Sequence, residues 1–189
     1  MFERRWIAAA AITMVACGSR APIQPVSIPS VVSGRTPVEV RDSSVDALPD
    51  ARIPTSPDIV FGIVEVRAAD VLFRFRYRPG TFDPATTRLS IDLDTDQNAA
   101  TGTSGVEYYV FVFPAGGRGA DVARTTSESY TVVGTVPVTF VTDGCDIAVP
   151  LALLGDDDGT FDFRVRVYSQ PALPSVIDVL PDTGFARVQ

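Results

Sequence analysis

Apolar and polar residues alternate in short runs from about residue 58 to the end of the chain. In the run 71–78, aromatic and aliphatic residues take every second position and arginines take positions between them. This alternation is typical of a strand with one face in a core and the other in water. The same pattern predicts ten strands, at 59–67, 71–78, 87–93, 107–113, 121–124, 130–133, 136–141, 146–149, 160–169 and 184–188.

The spacing of these runs, each bounded by Gly, Pro, Asp or Asn, predicts an all-β fold over residues 58–189. We expect an antiparallel β-sandwich of jelly-roll or immunoglobulin-like type. The run 107–113 is apolar on both faces and should be central. Residues 150–154, which start with proline and precede Gly155, predict a single helical turn. The consecutive aspartates of 156–159 end in Asp-Gly, which favours a tight turn over a cation site.

The first sixteen residues have the pattern of a secretory leader. Residues 1–5 are a basic n-region and residues 6–15 are an apolar h-region, shorter than the roughly 20 residues that a membrane-spanning helix needs. The residues around Ala16, Cys17 and Gly18 resemble a lipobox, which implies a signal peptide over 1–16 and a lipid anchor on Cys17. An ordinary secretory signal is the alternative. By resemblance to Gram-negative lipoprotein sorting, Gly18 favours the outer membrane.

Residues 17–57 differ in composition from the rest of the chain. Seven prolines are spread along this segment, with Ser, Val and Thr between them, and no regular period runs through it. Such a composition predicts a disordered, extended tether between the lipidated cysteine and the domain. The run 36–40 has the composition of an edge strand, so the boundary at residue 58 stays open.

The charge and the missing residue types exclude several functions. The chain has a net charge of −7, or −8 once the leader removes Glu3, Arg4 and Arg5, which argues against binding nucleic acid. It has no His and no Lys, and its Met and Trp residues all lie in the leader. Ser-His-Asp catalysis, a lysine Schiff base, histidine-bearing zinc sites and Met/His haem ligation are therefore excluded. With Cys17 acylated, Cys145 has no cysteine partner, and we expect it to be buried as a small apolar residue.

Oxygen-bearing side chains recur at every second position after one predicted strand. Asp92, Asp94, Asp96 and Asn98 are spaced in this way, and Glu107 begins the next strand. Alternate acidic side chains in a tight loop can surround a hard cation, and their charges would repel one another without one. The loop lacks the central glycine and final glutamate of an EF-hand. The pattern thus predicts a calcium site in a β-sandwich loop, with a solvated acidic turn as the alternative.

The segment 90–109, which reads SIDLDTDQNAATGTSGVEYY, resembles the Asp-x-Asp-x-Asp-x-Asn-x-x-Thr-Gly loop of bacterial secreted β-sandwiches of the DOMON-like and carbohydrate-binding-module-like kind. The closing segments VPLALLGDDDGTFDFRVRVYS and DVLPDTGF are similar to the last strands of such domains. The likeness covers roughly residues 58 to 189, and the loop is its specific part. It implies a sandwich with a structural calcium ion, and suggests carbohydrate as a ligand.

Two predicted strands carry outward-facing arginines. Arg74 and Arg76 alternate with aromatic residues on one strand, and Arg164 and Arg166 alternate with apolar residues on another. If the strands are neighbours, these arginines form one positive face for an anionic partner. The alternative is a set of solvated arginines balanced by nearby acids. Because the mature chain has no tryptophan, the candidates for stacking against a ligand are its tyrosines, Tyr77, Tyr108, Tyr109, Tyr130 and Tyr168.

These observations predict a lipid-anchored, calcium-stabilised, non-catalytic β-sandwich that presents a binding surface at the cell envelope. Carbohydrate is the ligand that the resemblance suggests. A structural or protein-interaction module of an envelope assembly is the first alternative. A hydrolase that uses Asp or Glu is the second, although alternate spacing suits a metal better than a pair of carboxylates flanking a sugar bond.

Overall fold

The computed structural model describes residues 35–42, 46–47, 56–127, 129–169 and 175–189. The predicted leader, Cys17 and most of the predicted tether lie outside the described residues. The described residues belong to one compact unit and are mostly in strands.

The strands form two antiparallel sheets. The small sheet has the order β1-β2-β3-β9-β8 and contains β1 Val38–Arg41, β2 Ile59–Val66, β3 Asp70–Tyr77, β8 Val138–Val141 and β9 Gly144–Pro150. The large sheet has the order β11-β10-β4-β5-β6-β7, and its strands are β4 Thr87–Asp94, β5 Tyr108–Val112, β6 Ala120–Thr125, β7 Tyr130–Val136, β10 Phe161–Ser169 and β11 Val176–Leu180. A short strand, β12 Ala186–Val188, also pairs with β10. The chain changes sheet after β3, after β7 and after β9.

The hydrophobic core lies between the two sheets. Phe73 and Phe75 on β3 and Phe161 and Phe163 on β10 are fully buried. The ring centroid of Phe73 lies 6.2 Å from that of Phe161 and 6.4 Å from that of Phe163. Burying each such side chain contributes about 1.5–3 kcal/mol, so contacts between the sheets account for much of the stability. The predicted all-β sandwich is confirmed.

The boundaries of the sandwich and of some strands differ from the prediction. The small sheet begins at β1, where Val38 pairs with Val64, so the fold starts before residue 58 and includes part of the predicted tether. Strand β11 was not predicted. The predicted break between 133 and 136 instead falls at Pro137, where β7 of the large sheet ends and the chain enters β8 of the small sheet. Proline cannot donate to a strand ladder, which favours a break there.

Two local predictions are met. A 3₁₀ turn spans Leu151–Leu154 and ends at Gly155 in the left-handed conformation. Cys145 on β9 is a buried free cysteine, and burial raises the pKa of its thiol to about 12. A thiol with such a pKa is not nucleophilic at neutral pH, which agrees with a packing role.

Candidate functional site

The loop that joins β4 to β5 brings three of the predicted metal ligands together. Asp94 ends β4, Asp96 lies in the loop, and Glu107 directly precedes β5. One carboxylate oxygen of each residue lies within 4.8 Å of those of the other two. A cluster of carboxylate oxygens suits a hard cation such as calcium.

Hydrogen bonds within the loop fix this arrangement. The backbone N–H of Asn98 lies 3.1 Å from Asp94 Oδ1 and 3.0 Å from Asp96 Oδ1, so the chain turns back over both carboxylates. Thr101 Oγ1 lies 2.9 Å from Asp96 Oδ1 and 2.7 Å from Glu107 Oε1. A hydroxyl has a single hydrogen, so Thr101 can donate to one of these two oxygens.

Gly102 permits the close packing of this loop. Its φ is +53°, and a Cβ at this position would lie 2.1 Å from Val106 O and 2.7 Å from Glu107 Oε1. Any other residue would therefore displace Glu107 from the cluster. The Thr-Gly pair of the sequence motif thus has a physical reason, since threonine contacts the carboxylates and glycine makes room for them.

The carboxylates of the cluster oppose one another electrostatically. Burial raises the pKa of Asp94, and the nearby charges of Glu107, Asp96 and Asp162 raise it further. A bound cation would offset this repulsion because it places positive charge between the carboxylates. Asp94, Asp96 and Glu107 therefore fit a calcium site in both ligand chemistry and spacing.

Two other predicted metal ligands, Asp92 and Asn98, are not part of this carboxylate cluster. Asp92 is fully buried, and its Oδ1 and Oδ2 accept hydrogen bonds at 2.7 Å from Arg166 and 2.8 Å from Arg164. Register explains this difference, since β4 pairs with β10 and Asp92 lies directly opposite Arg164. The prediction of Asp92 as a metal ligand is therefore wrong. Asn98 is in the same loop, and its side-chain oxygen accepts a hydrogen bond from the N–H of Ala100 at 3.1 Å, which orders the turn; its role as a metal ligand stays a prediction.

A second acidic cluster was not predicted. Asp46, Asp58 and Asp178 come together where β11 lies beside the start of β2. Asp178 Oδ2 accepts a hydrogen bond of 2.6 Å from the N–H of Ile59, and Asp58 pairs with Arg78 at 2.6 Å. Burial raises the pKa of Asp178 to about 7. No sequence signal pointed here, because Asp178 lies more than a hundred residues from Asp46 and Asp58 in the chain.

The two arginine stripes do not form one face. Arg74 and Arg76 lie on the small sheet, where they pair with Glu65 at 3.3 Å and with Asp146 at 2.7 Å. Arg164 and Arg166 lie on β10 of the large sheet, whose outer side faces the opposite way. The prediction of a joint positive face is therefore wrong, because alternation along a strand does not reveal which sheet the strand joins.

Tyr108 is not a surface residue. It is only 5% exposed and belongs to the core cluster between the sheets. Its neighbour Tyr109 is the one on the outer side of β5, since successive side chains of a strand point to opposite faces. The prediction of Tyr108 as a ligand-binding residue is therefore wrong, whereas Tyr109, Tyr130 and Tyr168, which were candidates with it, are not buried.

A groove of about 310 Å³ lies on the outer face of the large sheet. Its walls include Arg88, Phe111, Phe113, Arg118, Tyr130 and Tyr168. Tyr130 is 57% exposed and Val132, beside it in the groove, is 47% exposed. Aromatic rings beside charged side chains are typical of ligand sites. We name this feature the outer groove.

Aromatic and cationic groups are in contact along the outer groove. The ring centroid of Phe111 lies 5.3 Å from that of Tyr109 and 5.3 Å from that of Tyr130. The guanidinium of Arg118 lies 4.6 Å from the ring centroid of Phe113, and that of Arg88 lies 5.7 Å from the same centroid. These contacts hold the rings in place before any ligand binds, which lowers the entropy cost of binding.

Sequence reasoning named Tyr130 and Tyr168 of the outer groove as candidates for stacking, but it missed the other lining residues, although a signal was present. The run 107–113 is apolar on both faces, and the prediction used this only to place the strand at the centre of its sheet. In the structure β5 is central, and its outward residues Tyr109 and Phe111 are half-buried without a third layer of the described chain above them. An apolar outer face on a central strand is therefore a sign of a ligand surface.

No protein-family model matches the chain, and no curated protein matches it significantly. Within the part of the chain that the structure describes, no helix is both long and apolar enough to cross a membrane.

Proposed function

We propose that this protein is a non-catalytic, lipid-anchored β-sandwich that binds carbohydrate at the cell envelope through the outer groove. The observation that carries this proposal is the aromatic row of Phe111 and Tyr130, which line the groove, and Tyr109, which packs beside Phe111; neighbouring rings lie 5.3 Å apart on an open sheet face. Sugar rings present apolar C–H faces that pack against aromatic rings, while their hydroxyls need polar groups at the margin of the site. Arg88 and Arg118 supply such groups here.

Calcium has a structural role in this proposal. Asp94, Asp96 and Glu107 would hold the ion at the end of β4 and the start of β5, whereas Arg88 lies at the other end of β4. Roughly 20 Å separates the two ends of the strand, given about 3.3 Å per residue. The ion would therefore fix the loop and stabilise the fold without contacting a ligand in the groove.

The anchor is proposed on Cys17, which follows the leader 1–16. The sandwich would then be tethered to a membrane, with the outer membrane favoured by Gly18. The resemblance to DOMON-like and carbohydrate-binding-module-like domains supports the same placement outside the cell.

A glycan array tests the proposed function, using protein without residues 1–16 and with Cys17→Ser. We expect binding to a subset of glycans, and we expect Tyr130→Ala to reduce it at least ten-fold because the exposed ring is lost. Val133→Ala is the matched control, since Val133 is on the same strand and 42% exposed but does not line the outer groove. Absence of glycan binding by the folded protein would refute the proposal.

One observation favours a second function, that of a protein-interaction module. Strand β7 is an edge of the large sheet, it carries no charged residue, and Tyr130, Val132 and Val133 are exposed on it. Such an edge can pair with a strand of another chain. A partner that binds through β7 would be blocked by proline at Val133, whereas glycan binding in the groove would respond to Tyr130.

The structure gives little support to the hydrolase alternative at this groove. Asp121 is the one carboxylate in its described lining, and that group is occupied by Arg118 and by Thr135 at 3.1 Å. Glycoside hydrolysis commonly requires two carboxylates on either side of the bond. We therefore propose binding without turnover, which is tested by incubating array-positive glycans with the protein and measuring reducing ends.

A further inference from the structure

We propose that the carbohydrate bound in the outer groove carries negative charge, as a uronate carboxylate or a sulfate. This inference rests on the proposed function and names the class of sugar. It starts from Phe113, whose ring centroid lies 4.6 Å from the guanidinium of Arg118 and 5.7 Å from that of Arg88. Arg88, Phe113 and Arg118 also line a second, shallower hollow with residues 114–117. The two arginines therefore lie where the two depressions join.

Arg118 has donors directed to solvent. Its side chain is 65% exposed, and in the described chain its polar partner is Asp121. A guanidinium carries five N–H donors in a fixed planar fork, so one carboxylate leaves several of them for a ligand. Carboxylate and sulfate oxygens match this fork with paired, charge-assisted hydrogen bonds, which are stronger than those made to a sugar hydroxyl.

Asp121 does not cancel this positive region from the ligand's side. The residue is 3% exposed, and its two oxygens accept hydrogen bonds from Arg118 and Thr135. Its charge thus lies at the buried floor of the groove, where it orients the more exposed Arg118. An incoming ligand meets the arginines first.

The positive charge of the outer groove contrasts with the negative net charge of the whole chain. The protein has a net charge of −7, so an anionic glycan would be repelled by most of its surface. The described lining of the outer groove has the opposite sign of charge, because it contains two arginines and one buried aspartate. A neutral sugar has no net charge for these arginines to attract, whereas an acidic sugar would be attracted to the groove electrostatically.

The experiment is an array of matched pairs, with each uronate oligosaccharide printed beside its carboxyl-reduced form and each sulfated oligosaccharide beside its desulfated form. We expect the signal on the acidic members, and we expect at least ten-fold weaker binding to the neutral members. The two kinds of pair distinguish carboxylate from sulfate. Affinity for the acidic members should also fall as sodium chloride is raised.

Variants separate charge recognition from stacking. Arg88→Gln and Arg118→Lys should each weaken binding to acidic glycans, and Arg88→Gln should reduce the preference over the neutral member at least five-fold. Arg124→Gln is the control, because Arg124 is an exposed residue of β6 outside the groove and its substitution removes the same charge. Thermal denaturation shows whether each variant is folded.

Each outcome decides the inference. Equal binding to both members of the pairs, with Tyr130→Ala still harmful, would overturn the acidic preference and leave carbohydrate binding standing. Loss of affinity in Arg124→Gln equal to that in Arg88→Gln would overturn it too, because the effect would then be one of total charge. No glycan binding, or binding of single-stranded DNA in place of glycans, would overturn both proposals.

Discussion

Asp92→Asn should destabilise the protein without weakening calcium binding. Asp92 has no exposed surface, and its carboxylate bridges two arginines of the neighbouring strand through four N–H contacts between 2.7 and 3.3 Å. The hydroxyl of Ser90 donates a fifth contact at 3.0 Å. Asparagine has a similar shape, but it has one acceptor oxygen and no charge.

The size of the effect follows from burial. Removing one partner of a fully buried ion pair costs about 3–5 kcal/mol. The side chains of Arg164 and Arg166 are 32% and 27% exposed, so both can turn partly to water after the substitution. We therefore expect a loss of about 2 kcal/mol, which corresponds to about 4–8 °C in Tm for a domain of this size.

The assay is thermal and urea denaturation of the Asp92→Asn protein in calcium and in chelator. Asp146→Asn is the matched control, because Asp146 pairs with a single arginine and its side chain is 27% exposed. That change should cost less than about 1 kcal/mol. The difference in Tm between calcium and chelator should be the same in wild type and Asp92→Asn, since Asp92 lies outside the carboxylate cluster.

Two results would refute this reasoning. Wild-type stability in Asp92→Asn would mean that the bridge to the arginines contributes little. Loss of the calcium-dependent Tm difference would mean that Asp92 reaches the ion, as the alternate spacing of the aspartates first indicated.

Three further predictions address the ion, the anchor and pH. Asp94→Asn should abolish the Tm increase that calcium gives, whereas Asp157→Asn in the turn before β10 should leave it unchanged; free calcium at 100 times its dissociation constant should stabilise the wild type by about 2.7 kcal/mol. Cys17→Ser should move the full chain from the membrane fraction to the soluble fraction after a salt wash, and retention on membranes would contradict the anchor. Burial raises the pKa of Asp178 in the folded protein from 3.8 to about 7. The contribution of Asp178 to the free energy of unfolding is therefore fully present below pH 3.8 and is lost as pH rises through 7. Asp178→Asn keeps an acceptor for the N–H of Ile59, so in chelator it should raise stability at pH 8 by about 2–4 kcal/mol and flatten the profile between pH 5 and 8.

Much of the fold could be predicted because strand alternation is a local property. Inward Phe73 and Phe163 were recognisable from their own strands, and so was the 3₁₀ turn after Pro150. Strand β11 was missed, and the partners of each strand could not be assigned. Sheet membership depends on which strands pair across long separations, and alternation carries no information about that.

In the candidate site too, residues brought together by local sequence could be predicted, and residues brought together by strand pairing could not. Asp94, Asp96 and Glu107 were predicted because one short loop brings them together. Asp92 follows the same spacing, but its partner Arg164 lies 72 residues away on β10, so its role depends on sheet register. Tyr130 and Tyr168 were candidates for stacking, but the outer groove as a whole could not be predicted, since strands from separate parts of the chain form its walls.

The strand β4 has the groove residue Arg88 near one end and the loop residue Asp94 at the other. Under the proposed function, a substitution at Arg88 would therefore change glycan preference without altering Asp94, and a substitution in the loop would leave Phe111 and Tyr130 in place. Asp92 and its two arginines occupy the strand between them and tie β4 to β10. Under the proposed function, sugar preference and calcium binding would therefore change independently of each other, while both depend on the central ion pair.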